Sequence, residues 1–144
     1  MKKKFNPHTV WGKRMKGKTN NILLETNASI DVDKELYNED IDASIIHCKM
    51  LAKQRVIPTK ISKKIINCLE KIRREIKSRK FKFSKKHEDI HLNIENRLFQ
   101  LIGPDAGYLH TARSRNDQVT TDFRLWIIKS DKILKHEKKK VIYY

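Results

Sequence analysis

The sequence predicts an all-α fold. From about residue 33 onwards, apolar residues recur at every third or fourth position, which is the spacing that lines one face of an α-helix. No stretch shows the alternating apolar and polar pattern of a half-buried strand. The composition, 38% hydrophobic and 35% charged over 144 residues, is sufficient for one ordinary helical domain with a real core.

The N-terminal part is predicted to be irregular and to lead into a first helix. Residues 1–32 contain Gly12, Gly17 and a lysine-rich stretch, and they show no sustained apolar period. A helix is expected from Asp33, which can cap it, and should end before Pro58. Its apolar face carries Tyr37, Ile41, Ile45, Cys48 and Leu51.

Three further helices are predicted. The second begins near Thr59 and frays towards Lys80, and the third begins near Ser84. A turn rich in glycine and proline, 103–107, separates the third from the fourth, which begins within 114–116. The apolar side of the fourth helix carries Val119, Phe123, Trp126 or Ile127, and Ile133 or Leu134.

The bulk properties limit the function classes. A net charge of +16 raises the possibility of nucleic-acid binding, because basic surfaces release counterions from phosphates. However, the lysines are spread along the chain, few aromatic residues interleave with them, and no nucleic-acid-binding motif is present. No run approaches the ~20 apolar residues of a membrane-spanning helix, and the basic N-terminus lacks the apolar stretch of a secretory signal. Cys48 and Cys68 are predicted to be reduced core thiols of a cytoplasmic protein.

The segment 110–119, His-Thr-Ala-Arg-Ser-Arg-Asn-Asp-Gln-Val, has the composition of a binding site. A dense polar cluster stays ordered only where its groups find partners. The guanidinium groups of Arg113 and Arg115 match a carboxylate or a phosphate, and Ser114 and Asn116 add directional hydrogen bonds. The segment therefore predicts a site for a small, multiply charged acid. The alternative is a polar helix start that Ser114 or Asn116 caps.

Two patterns could indicate a metal site. Residues 87–91 match H-E-x-x-H, in which two histidines one helical turn apart bind zinc. The preceding Ser-Lys-Lys indicates a solvated first turn, and no third ligand follows. His47 lies beside Cys48 without further clustered ligands, which favours a structural histidine. We therefore predict no metal site.

Four motifs, in order from about residue 11 to about residue 128, resemble the argininosuccinate lyase family of the fumarase and aspartase superfamily. Four separate motifs in order are far more specific than one motif alone. The first is Trp11-Gly12-Lys13-Arg14; the second is Asn27-Ala28-Ser29-Ile30 with Asp33; the third is Glu88-Asp89-Ile90-His91 with Asn93, Glu95 and Leu98; the fourth is Thr111 to Gln118 with Asp122, Arg124, Leu125 and Trp126.

The resemblance implies an architecture and an assembly. Family members have a small N-terminal helical domain beside a long central helix bundle, and the bundle helices of four subunits form a homotetramer. By this resemblance the chain divides into an irregular N-terminal arm, 1–32, a small helical domain, 33–109, and the signature segment with the start of the first bundle helix, 110–144. The apolar face of that bundle helix would need partners that the chain barely provides.

The resemblance also implies a reaction. The family cleaves argininosuccinate reversibly into arginine and fumarate by β-elimination, without a metal or organic cofactor. Arg115 would pair with a succinate carboxylate, and Asn116 and Ser114 would donate to it. Ser29 and Asp33 would lie near the arginine-like end. The implied substrate-binding residues are Ser29, Asp33, Asp89, His91, Thr111, Ser114, Arg115 and Asn116.

The chain departs from the family's pattern after about Lys129. The Thr-His segment that follows the first bundle helix is missing, and so is the loop with the catalytic Ser. A truncated or frameshifted gene would explain this, and we expect the chain alone to be inactive. Two other function classes stay open: a non-catalytic fragment that associates with full-length lyase subunits, and a basic nucleic-acid-binding protein.

Overall fold

A computed structural model of the chain describes residues 21–142, and every regular element in that range is helical. The all-α prediction is confirmed. The Trp-Gly-Lys-Arg motif at 11–14 lies outside the described residues. The α-helices are α1 (Asn21–Asn27), α2 (Ile30–Asp33), α3 (Tyr37–Lys53), α4 (Thr59–Lys77), α5 (Ile90–Ile102) and α6 (Arg115–Ile142), with short 3-10 helices at Lys34–Leu36, Lys85–His87 and Gly103–His110.

The core forms where α3, α4 and α5 pack together, and α6 packs against the remaining side of α3. Each helix contributes apolar residues at helical spacing, so that one stripe of each is buried. Burying one such isoleucine or leucine side chain contributes about 1.5–3 kcal/mol relative to leaving it exposed. The fully buried members include Ile41, Cys48 and Leu51 of α3, Ile65, Leu69 and Ile72 of α4, and Ile90, Ile94 and Leu98 of α5.

The chain enters α3 differently from the prediction. The irregular arm was expected to extend to residue 32, but α1 and α2 lie within it. Asp33 does not cap the helix that follows it, because its side chain makes no capping bond there. Instead, its carboxylate accepts a hydrogen bond of 3.1 Å from the backbone N–H of Ile90, at the start of α5. The start of α4 at Thr59, after the extended Pro58, is as predicted.

α5 also begins later than predicted. Ser84 caps only a short 3-10 helix, where its hydroxyl accepts from the Lys86 N–H at 3.3 Å. Glu88, with a positive φ of 55°, ends that helix, and Asp89 caps α5 by accepting from the Leu92 N–H at 2.6 Å. The two histidines of the H-E-x-x-H pattern consequently lie in different elements, and the helical turn that a zinc peptidase needs does not form.

The segment between α5 and α6 is a 3-10 helix, Gly103–His110, rather than a simple turn. Gly103 ends α5 with φ 66° and ψ −143°, a conformation that residues with a Cβ atom rarely adopt. Its N–H donates to the Phe99 carbonyl, which satisfies one of the last orphan carbonyls of α5.

α6 begins at Arg115, within the predicted range, and runs for 28 residues. The Ser114 hydroxyl accepts from the Asn116 N–H at 3.2 Å, so Ser114 caps the helix, as the capping alternative predicted. The residues of α6 that the described chain buries are polar, Gln118 and Asp122. Its apolar stripe is exposed in the described chain, including Val119, Phe123, Trp126, Ile127, Ile133 and Leu134.

None of the described helices combines the length and apolar character that crossing a membrane requires.

Candidate functional site

Arg115 stands at the centre of the site, where the first turn of α6 meets α5. Its Nη1 donates to Oε1 of Glu95 at 3.0 Å and to Oε1 of Gln118 at 2.7 Å. Its Nε lies 3.9 Å from Oδ2 of Asp89, the cap of α5. The guanidinium is therefore held by carboxylates of α5 and by an amide one turn further along α6.

The segment around Ser29 is attached to the same end of α5. The backbone N–H groups of Ser29 and Ile30 both donate to the Glu88 carbonyl, at 2.9 and 3.0 Å. The Ser29 hydroxyl donates to Oδ2 of Asp33 at 2.6 Å, while Oδ1 of Asp33 accepts from Ile90. Burial raises the pKa of Asp33, since it disfavours the charged carboxylate more than these hydrogen bonds favour it.

Behind Arg115 lies a buried polar cluster of Asp40 on α3, His91 on α5, and Gln118 and Asp122 on α6. Nδ1 of His91 lies 3.1 Å from Oδ1 of Asp40 and 3.4 Å from Oδ2 of Asp122. Gln118 donates from Nε2 to the same Asp40 oxygen at 2.5 Å. Three helices thus meet through polar groups that water does not reach, where each donor and acceptor must find its partner within the protein.

The ionisation of the buried cluster follows from these contacts. Burial is the largest single influence on both Asp40 and His91 and opposes their charge, but their hydrogen bond, their mutual attraction and the charges and donors around them together outweigh it: the pKa of Asp40 is lowered and that of His91 is raised. Each shift favours the charged form of its group, as in an ion pair. Burial, and next the negative charge of Asp40, raise the pKa of Asp122 to about 8, so this carboxyl group holds a proton at neutral pH.

Asp40, His91 and Asp122 each offer a ligand atom, and these atoms lie within 4.8 Å of one another. The three side chains could therefore surround a metal ion. Their surroundings oppose it: the guanidinium of Arg113 interacts electrostatically with both carboxyl groups, and Gln118 already donates to Asp40. With Asp40 charged, His91 protonated and Asp122 neutral, which are the forms that these pKa shifts favour, the charges of the cluster cancel, and the neighbouring Arg113 guanidinium would repel a dication.

The remaining predicted site residues lie along the approach to α6. The Thr111 carbonyl lies 3.0 Å from Nε2 of His47, which anchors this segment on α3. Arg113 donates from Nη1 to the Ser44 hydroxyl at 3.0 Å. Asn116 is exposed beside Arg115 in the first turn, where the backbone N–H groups and the helix dipole favour an anion.

The structure thus connects Ser29, Asp33, Asp89 and Arg115 around the N-terminus of α5, with His91 in the buried cluster behind them. Thr111 contacts α3 instead. Sequence reasoning gave no role to the groups that hold this arrangement. A weak signal existed for several of them, because polar pairs four residues apart fall on one helix face. These groups are Asp40 with Ser44, Gln118 with Asp122, and Glu95.

Comparison with known proteins decides the family. A family profile described as Lyase matches residues 13–142. The chain belongs to this lyase family. The chain is similar to the argininosuccinate lyase of Pelagibacter ubique, with 52% identity over 132 residues. The matched region covers 92% of the chain and 29% of that protein. It is also similar to those of Bartonella bacilliformis, with 53% identity over 82% of the chain and 25% of the protein, and Ehrlichia canis, with 51% over 88% and 27%.

The resemblance inferred from the four motifs is therefore confirmed. The chain spans less than a third of the length of these relatives, and it corresponds to their N-terminal portion.

Proposed function

We propose that this chain forms the carboxylate-binding part of the active site of an argininosuccinate lyase, which splits argininosuccinate reversibly into arginine and fumarate. The observation that carries the proposal is the placement of Arg115. Its guanidinium is held at the N-terminus of a long helix, between Glu95 and Gln118 and next to Ser114 and Asn116. Cationic and amide donors at a helix start are suited to binding a carboxylate.

The reaction explains why such a group is needed. A base removes the proton on the carbon next to a succinate carboxylate, and the electron pair left behind spreads into that carboxylate. This pair then forms the C=C bond of fumarate as the C–N bond breaks, and the electrons of the C–N bond leave on the guanidino nitrogen of arginine, which takes a proton from an acid. Arg115 and the donors of Ser114 and Asn116 would stabilise the doubly charged carboxylate in between, with Thr111 nearby. Such stabilisation acts on the charge that develops in the transition state.

The other end of the substrate carries a guanidinium group and an amino acid. Asp33 and Asp89 place carboxylates at the N-terminal end of α5, and the Ser29 hydroxyl bonds to Asp33. We assign these groups to the cationic end of the substrate. His91, paired with Asp40, would orient the neighbouring groups from beneath. The site so assigned is bipolar, as argininosuccinate is.

We assign no proton-transferring residue to the described part of the chain, and the proposal requires no cofactor. In this proposal the base and the acid come from segments of the whole lyase outside the matched portion, which is 29% of the Pelagibacter ubique protein. The chain alone should then release no fumarate from argininosuccinate. Fumarate release by the purified chain at a rate near that of the full-length relative would contradict this assignment.

The exposed stripe of α6 supports an assembly. Phe123 and Trp126 lie with ring planes 9° apart and centroids 6.2 Å apart, and both are exposed in the described chain. An apolar groove of about 510 Å³ lies between α3 and α6, lined by Ile46, Met50 and Leu125 among others. We assign this surface to the helix bundle of a cytoplasmic homotetramer. A non-catalytic fragment that binds full-length lyase subunits would use the same surface.

The proposal is tested in a full-length lyase in which this chain replaces the corresponding portion of the Pelagibacter ubique enzyme. The hybrid should produce fumarate, and Arg115→Ala should lower kcat/KM by about 100-fold or more, as removal of a transition-state donor does. Arg97→Ala is the matched control, because Arg97 pairs with Glu75 on the opposite side of α5 and lies outside the site. An Arg115→Ala hybrid as active as the Arg97→Ala hybrid would refute the assignment.

A further inference from the structure

Gln118 is the one residue of the buried cluster that also contacts Arg115. Its side chain is only 2% exposed. The amide nitrogen donates to Oδ1 of Asp40 at 2.5 Å, and the amide oxygen accepts from Nη1 of Arg115 at 2.7 Å. The orientation of the amide is fixed by its partners, because a carboxylate can only accept and a guanidinium can only donate.

Asp40, which accepts the hydrogen bond from the Gln118 amide, is itself held in place. Asp40 lies on α3 and is 1% exposed, and His91 of α5 holds the same carboxylate oxygen at 3.1 Å. The position of the Gln118 amide is therefore set by two helices other than its own. The amide oxygen accepts from the Arg115 guanidinium on the first turn of α6, so the fixed amide in turn orients that guanidinium.

We propose that Gln118 is a positioning residue of the lyase site, which fixes the direction of the Arg115 guanidinium towards the substrate carboxylate. The inference rests on the proposed function, since it takes Arg115 as the group that meets that carboxylate. Glu95 and Gln118 converge on the same nitrogen, Nη1. Glu95 and Asp89 supply charge, and Gln118 supplies the hydrogen-bonded link to the buried core, so loss of Gln118 leaves the Arg115 guanidinium paired with carboxylates but no longer aligned by the core.

The chain contains a matched control. On α5, Nη1 of Arg97 donates to Oε1 of Gln100 at 3.0 Å, with the same three-residue spacing as Arg115 and Gln118. Gln100 is exposed and is no part of the site. Replacing either glutamine by methionine keeps the side chain's length and removes the arginine contact.

The test uses the full-length hybrid lyase described above. Gln118→Met should lower kcat/KM by about 10-fold or more and raise the inhibition constant of succinate by a similar factor, because a small misplacement of a substrate-orienting group is costly. Gln100→Met should leave both constants within about twofold. A merely structural glutamine would lower the melting temperature without weakening succinate binding per active site.

Each outcome decides a different question. Gln118→Met with unchanged kcat/KM and succinate inhibition overturns the positioning role and leaves the proposed function standing. A hybrid that is inactive with the unaltered chain overturns the proposed function, and the positioning role falls with it. Where Gln118→Met fails to fold, Gln118→Asn replaces it: this side chain is shorter by one methylene and cannot span Asp40 and Arg115, so the same losses are expected.

Discussion

Among single residues, Asp122 carries the most unusual chemistry. It is fully buried, and neither of its oxygens has a hydrogen-bond partner within the described part of the chain. The positive charges of His91 and Arg113 partly offset its burial, but the negative charge of Asp40 adds to it. A carboxyl group in these surroundings is stable when neutral and costly when charged.

This gives a pH prediction. The pKa of Asp122 is raised from 3.8 to about 8 in the folded chain, so the folded state holds a proton that the unfolded state releases. Its contribution to the free energy of unfolding is complete below about pH 4 and is lost as the pH rises towards about 8. The melting temperature should fall by several degrees between about pH 6 and pH 9. The raised pKa of His91 acts in the same direction.

Asp122→Asn removes this titration while keeping the shape of the side chain, and should reduce the fall in melting temperature over that pH range. Thermal unfolding followed by circular dichroism measures it. Asp131→Asn is the control, because Asp131 lies on the same helix but is exposed and pairs with Lys135. If Asp122→Asn and Asp131→Asn show the same pH dependence, Asp122 is not the group responsible.

The residue scale also shows what the sequence could predict of the site. The four motifs pointed to Ser29, Asp33, Asp89 and Arg115, and the structure connects these residues, although their roles stay predictions. Asp40 was missed because it is one of three acidic residues within 39–42, at the start of α3, where carboxylates ordinarily lie on the solvated helix surface. Its burial depends on His91, 51 residues further along the chain, and no local pattern reveals such a partner.

Among the elements, the end of α5 depends on one glycine. Gly103 has φ 66° and ψ −143°, and a Cβ atom added there would meet nothing within 4 Å. The cost of a substitution therefore comes from the backbone alone. Gly103→Ala should lower the free energy of unfolding by about 1–3 kcal/mol.

Gly107→Ala is the matched control for this backbone effect, since Gly107 lies in the following 3-10 helix, where an added Cβ also meets nothing and the φ is ordinary. Urea denaturation of both variants compares them directly. Equal stabilities for Gly103→Ala and Gly107→Ala would show that the left-handed conformation costs nothing at this position.

Helix identity was predictable from the sequence, but two of the helix starts were not. Apolar spacing found α3, α4, α5 and α6, because burial of one stripe is a local pattern. The predicted starts at Asp33 and Ser84 were wrong, and only the first of them was inferred from a capping residue. The Asp33 carboxylate instead bonds to Ile90, 57 residues away, and Ser84 caps only a 3-10 helix.

At the scale of the whole molecule, the net charge of +16 requires a separate test. A nucleic-acid-binding protein would bind DNA with an affinity that falls steeply as salt is added. In that class the binding should also survive Arg115→Ala, whereas the lyase assignment predicts only weak, nonspecific binding. Fluorescence anisotropy with labelled duplex DNA at several salt concentrations measures this, and tight binding at physiological salt would favour the nucleic-acid class.

The exposed apolar stripe of α6 leads to a prediction about the oligomeric state of the chain in solution. Its polar residues Gln118 and Asp122 face the chain's own core, whereas Phe123 at 51% and Trp126 at 40% exposure face outward. Burial of such a continuous apolar stripe against a second molecule removes it from water and is favourable. The chain should therefore self-associate at micromolar concentrations, and the double substitution of Phe123 and Trp126 by Glu should yield monomers in sedimentation velocity experiments.

The control for that experiment is Val32→Glu. Val32 is 78% exposed, more than either aromatic residue, but it lies on α2 and is not part of the α6 stripe. If general stickiness drives association, Val32→Glu should also reduce the mass. If the α6 stripe drives it, Val32→Glu should leave the oligomer intact. Monomers of the unaltered chain across that concentration range would contradict the assembly, because an uncovered stripe would then be tolerated in water.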